Sequence, residues 1–215
     1  MLDKAFAGPR HHRFLNVSTG ECIRTDLPEL AGHTLLALTP EGLLLLLHEP
    51  SLVVRLLNPL THRLTDLPPM TALLAPELHR LWSCGFEMRK LIGVCGVGLV
   101  AEASTVAVSF SNERLVVAKP GDVSWTVVAN QSMKSTMPFA GRFYCANYRG
   151  VMVLTTSSDQ QPPRLHMVVD WSNSCDLFQM MRRQRSHHYL VDNGGELMLV
   201  RQTALYQYHG HNQEV

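Results

Sequence analysis

Residues 33–69, HTLLALTPEGLLLLLHEPSLVVRLLNPLTHRLTDLPP, decide the fold. Short apolar runs are cut by Pro40-Glu41-Gly42, His48-Glu49-Pro50 and Asn58-Pro59. Leucine favours helix, but each proline removes a donor and clashes with the preceding turn, so no helix grows through this spacing. Short strands joined by tight turns do fit, with Gly42 free to take a positive φ. The spacing predicts strands over Thr34–Leu38, Leu43–Leu47, Leu52–Leu57 and Arg63–Leu67, one antiparallel sheet of the size of a propeller blade.

Upstream, Arg13–Leu30 (RFLNVSTGECIRTDLPEL) lines up with Leu56–Met70 (LLNPLTHRLTDLPPM): Leu-Asn-x-x-Thr, then a strand ending Thr-Asp-Leu-Pro. Asn16 and Asn58 lie 42 residues apart, Leu27 and Leu67 lie 40 apart, a period that fits strand-built blades rather than helical solenoids. The asparagine opens a turn by bonding its own backbone, and the proline closes a strand where no further ladder donor is needed.

Downstream, Thr71–Trp82 is the one stretch with helical character, expected to start near Pro76 with Leu78, Leu81 and Trp82 on one face. A second blade is expected within Gly85–Val128. Its strands include Thr105–Phe110, Leu115–Ala118 and Ser124–Val128, the last holding Trp125 after the turn Pro120-Gly121-Asp122. Pro138–Val153 and His188–Val200 repeat the strand, turn, strand form of Thr34–Leu47, with Gly42, Gly150 and Gly195 as the matching turn glycines and Asn193-Gly194 as a hairpin turn. Arg164–Trp171 reads as a further strand and Asp176–Met181 as a turn of helix. The fold class is therefore all-β, a propeller-like array of three to four four-stranded antiparallel blades over residues 13–205. Residues 1–12 are expected to form a flexible tail and 206–215 a polar one.

Composition bounds the function. Net charge is +1, from 19 basic and 18 acidic residues in 215, which supplies no field to attract nucleic acid or an anionic membrane. No apolar run approaches the roughly 20 residues that cross a bilayer, and the first residues carry no apolar secretion signal. Five scattered cysteines without C-x-x-C spacing suit a reducing, cytoplasmic or nuclear setting.

No reaction is announced. Gly93-x-x-Gly96-x-Gly98 has the wrong order for a dinucleotide fingerprint and reads as strand bends. His11-His12, His187-His188 and His209-x-His211 have no cysteine or carboxylate at ligand spacing and are expected on the surface. The run Arg182-Arg183-Gln184-Arg185 reads as a solvated loop. Trp125, Phe139, Phe143 and Tyr144 are expected between blades. No catalytic residue, metal ligand or cofactor site is expected.

Several stretches together resemble the plant F-box-associated domain of unknown function 295, the KIB-type β-propeller domain. They are the Gly42 turn, Asn58-Pro59-Leu60-Thr61 with Leu67-Pro68, and Pro120-Gly121-Asp122 with Trp125. Gly141-Arg142-Phe143-Tyr144 and Tyr189-Leu190-Val191 with Gly195-Glu196-Leu197 complete the set. The resemblance implies structural roles for these positions and a propeller that presents a surface to a protein target, of unknown identity, in a cullin–RING ubiquitin ligase. Relatives reach the ligase adaptor through an N-terminal F-box. No such segment is expected ahead of Arg13, so that link requires an F-box supplied elsewhere. The alternatives are a truncated paralogue without ligase function and a small-molecule-binding or hydrolytic propeller.

Overall fold

The computed structural model describes residues 11–15, 19–86, 92–100, 104–156, 161–171 and 186–203. Three four-stranded antiparallel sheets carry the fold, each a simple meander. The first blade is β3 (His33–Leu38), β4 (Leu44–His48), β5 (Val53–Asn58) and β6 (Arg63–Pro69). The second is β7 (Val94–Val100), β8 (Thr105–Phe110), β9 (Arg114–Ala118) and β10 (Thr126–Asn130). The third is β11 (Ser135–Phe139), β12 (Arg142–Ala146), β13 (Gly150–Thr155) and β14 (Arg164–Asp170). Two further sheets have two strands each: β1 (His11–Leu15) with β2 (Cys22–Asp26), and β15 (Ser186–Asp192) with β16 (Leu197–Thr203). The single α-helix among the described residues, α1 (Pro76–Ser83), opens on proline as expected and packs Trp82 against the first two blades.

The leucine run explains why the blades stack. All four leucines of β4 are buried, but alternate residues go to different neighbours. Leu45 and Leu47 join Val97, Val106, Val108 and Phe110 of the second blade. Leu44 and Leu46 meet Leu27 and Leu57 on the other face. A strand buried on both sides reads as a continuous apolar run, and each such leucine contributes roughly 2 kcal/mol of burial.

The first strands of successive blades lie against one another: β3 on β7, β7 on β11, β11 on β15. The glycines of β7 allow this. A side chain at Gly96 would collide with Thr136, and one at Gly98 would sit 2.6 Å from Pro138 Cγ. Gly96 and Gly98 thus mark a strand pressed close to its neighbour. Because 96 meets 136 and 98 meets 138, β7 and β11 run the same way.

Most expected strands stand within two residues of their observed bounds. Trp125 is a correction: β10 opens at Thr126, so the indole precedes the strand. Gly150 is another. It begins β13, while the counterpart of Gly42 and Gly195, in the turn between first and second strands, is Gly141. Ala140 and Gly141 both have positive φ, as a two-residue type I′ hairpin requires. At β15–β16 the pair with positive φ is Gly194-Gly195, closed by Asn193 N donating to Glu196 O at 2.9 Å, so the turn sits one residue beyond Asn193-Gly194. Asp176–Met181 and residues 206–215 lie outside the described residues.

Candidate interaction surface

In each meander the turns joining strands one to two and three to four leave at one end of the sheet. Most of the turn residues singled out from sequence stand at this end. Asn58 Oδ1 accepts from Leu60 N at 2.9 Å and Thr61 N at 3.2 Å, fixing the turn between β5 and β6. Asp122 Oδ2 accepts from Lys119 N at 2.7 Å in the turn before β10, where Gly121 takes φ +91°. Asp192 Oδ1 accepts from Gly195 N at 2.8 Å.

These braced turns hold apolar side chains out in water. Leu60 is 90% exposed and Val123 92%, with Leu38 exposed at the end of β3. Gly42, Pro120, Gly141, Arg142, Gly195 and Glu196 are exposed at the same turns, and Pro59 is half-buried. Leu60 was legible inside its motif. Val123 was not singled out, although an apolar residue directly after Pro-Gly-Asp is the signal that marks it. Flanking the β5–β6 turn, an open recess of about 190 Å³ is lined by Leu43, Leu56, Asn58, Arg63 and Thr65. That is smaller than the usual small-molecule site of roughly 300–1,000 Å³.

The remaining motif positions are structural. Trp125 is buried, and its Nε1 donates to Pro68 O at 2.8 Å, so two motifs read separately in sequence form one joint between blades. Leu67 and Phe143 are buried, and half-buried Leu197 packs on the third blade. Phe139 and Tyr144, both half-buried, meet edge to face with ring centres 6.1 Å apart. Tyr189 is 45% exposed.

At the opposite end a slot of about 20 Å³ lies beside Met70, Leu78 and Phe110, room for one water. Among the described residues no three of His, Cys, Asp and Glu cluster as a metal would need. Among those residues no helix is long and apolar enough to cross a membrane. Cys22, Cys84 and Cys95 are exposed thiols, and burial pushes the Cys145 thiol up to about 12, which keeps it protonated and inert. Cys175, Arg182–Arg185, His209 and His211 lie outside the described residues, as do the side chains of His11 and His12.

One histidine corrects the surface assignment. His188 is buried, because alternate residues of β15 turn toward the third blade, and its Nε2 has no partner. Burial lowers its proton affinity, and the positive charges of Arg201, Lys134 and His187 add to the effect. The folded pKa therefore lies below the ordinary value of about 6.5. Below that pH the unfolded chain binds the proton more readily, so stability should fall as pH drops from about 6.5 and level off below the folded pKa. The drop in melting midpoint between pH 7.5 and 5.5 should be smaller in His188→Gln; an equal drop in both proteins would refute this assignment.

No curated protein and no solved structure matches the chain. The sequence model of the KIB1-4 beta-propeller family matches residues 14–215, nearly the whole length. With its three meander blades stacked through their first strands and its motif turns at the blade ends, the chain belongs to the KIB1-4 beta-propeller family.

Proposed function

We propose that the chain is a non-enzymatic protein-interaction module that recognises its target with the turn-bearing end of the blades. The observation that carries this reading is the pair Leu60 and Val123, each at least 90% exposed on a hydrogen-bonded turn. An apolar side chain held out on a rigid turn has lost its ordering entropy in advance, which favours binding. Near-zero net charge and small recesses agree with a protein target rather than a polyanion or a metabolite. By its resemblance to F-box-associated propellers, the module is of the substrate-recognition kind, reaching a ubiquitin-ligase adaptor when an F-box is supplied, in cytoplasm or nucleus.

The test is an affinity capture from plant extract with the chain, the chain fused to an F-box, and the Leu60→Glu/Val123→Glu variant. One protein should be recovered by the first two, with the ligase adaptor joining only the fusion. The variant should lose that protein at least about tenfold while its melting midpoint stays put, because neither side chain is packed. Undiminished capture by the variant would move recognition away from this end.

A further inference from the structure

Two half-blades stand at opposite ends of the described chain, and each holds the strands the other lacks. β15 packs on β11 as β11 packs on β7, and the β15–β16 turn carries Gly195 where the β3–β4 turn carries Gly42, so β15–β16 are first and second strands. β1–β2 match β5–β6 instead: His-His-Arg13-Phe-Leu-Asn against Val-Val-Arg55-Leu-Leu-Asn, then Thr-Asp-Leu-Pro in both. They are third and fourth strands. The match extends to packing, since Leu27 sits on the first blade as its counterpart Leu67 sits between the first and second. Yet among the described residues the two pairs form separate sheets, and no described strand pairs with the outer edge of β16.

That sheet also bares a face. Tyr189 pairs with Val200 and Val191 with Met198, which puts the four side chains on one side, away from buried Leu190. All four are 38–45% exposed. The counterparts of Met198 and Val200 on β4, Leu45 and Leu47, are fully covered by the following blade. An apolar face beside an open strand edge is a docking surface and an aggregation hazard.

We propose that the β16 edge is completed by the β1–β2 hairpin of a second copy of this chain, whose first blade then covers Tyr189, Val191, Met198 and Val200. Among the described residues of one copy the halves are separate sheets; a twofold exchange pairs the β16 edge of each copy with β1 of the other. Counted over the described strands, the pair holds six complete and two shared blades, within the usual four to eight. The β4–β5 ladder sets the register. Leu45 pairs with Leu56 there, so by backbone register Met198 of one copy pairs with Phe14 of the other, and Val200 with His12.

The unaltered chain should sediment at twice its 24.1 kDa. Chains with Cys22, Cys84, Cys95 and Cys175 replaced by serine would carry either Phe14→Cys or Met198→Cys. Mixed and oxidised, the two should form a disulfide between chains, whereas Phe14→Cys with Leu199→Cys, on the other face, should not. As a readout independent of substitution, β16 amides should be protected from exchange at high concentration and lose protection on dilution to monomer. A single-chain mass at all concentrations overturns the proposal. So does a Phe14→Cys/Met198→Cys double variant that oxidises only within one chain, or an aggregate that lacks the cross-link.

Discussion

Replacing Trp125 by alanine is expected to lower the unfolding free energy by about 3–5 kcal/mol, a large share of a typical domain's stability. The indole is 7% exposed in the cluster that joins the first and second blades, beside Leu67, Met70 and Val116. Its removal leaves a cavity and strips the donor from Pro68 O, a buried acceptor. Trp125→Phe keeps most of the volume and loses the hydrogen bond, so it should cost clearly less. Urea unfolding followed by far-ultraviolet dichroism separates the two. A loss below about 1 kcal/mol for alanine would mean that the ring does not hold the blades together.

The second large effect should come from adding atoms. At Gly98 a Cβ would lie 2.6 Å from Pro138 Cγ and 3.2 Å from Phe143 Cδ2, against a proline ring and a fully buried phenyl. Neither can swing away, so Gly98→Ala should cost about 1–3 kcal/mol despite the smaller entropy of its unfolded chain, and Gly98→Val more. Gly96 differs usefully. Its added methyl meets the Thr136 side chain, so Thr136→Ala should recover part of the loss in Gly96→Ala, and no such partner exists for Gly98. If Gly98→Ala unfolds at the same urea concentration as the parent, β7 and β11 are not in contact.

The strands were legible in the sequence where prolines and glycines punctuate leucine runs, because those residues act locally. The four strands of the first blade and the start of α1 follow from that punctuation alone. What escaped were features that depend on a neighbour. The Gly93–Gly98 run signals a close approach only once β11 is known to lie against it. Trp125 and Pro68 sit 57 residues apart, and nothing in either motif names the other. Gly150 shares its strand–turn–strand form with Gly42 but occupies a different hairpin, since one sheet contains three such forms. His188 reads as polar beside His187, and only the pleat sends it inward. The exposed turn residues were half legible: Leu60 lay within a recognised turn, while Val123 required burial to be seen.

The stacking of first strands, each against the one before it in sequence, also sets an order of events during synthesis. Leu45, Leu47 and Val54 find their cover in Val97, Val106 and Val108, residues made only after the first blade has been synthesised. Val100, Ala107 and Leu115 wait in turn for Phe143, Cys145 and Leu154. A nascent chain therefore condenses blade upon blade, and at each stage it shows solvent one greasy sheet face awaiting its successor. The demand on chaperones is set by the width of a single blade rather than by the length of the protein.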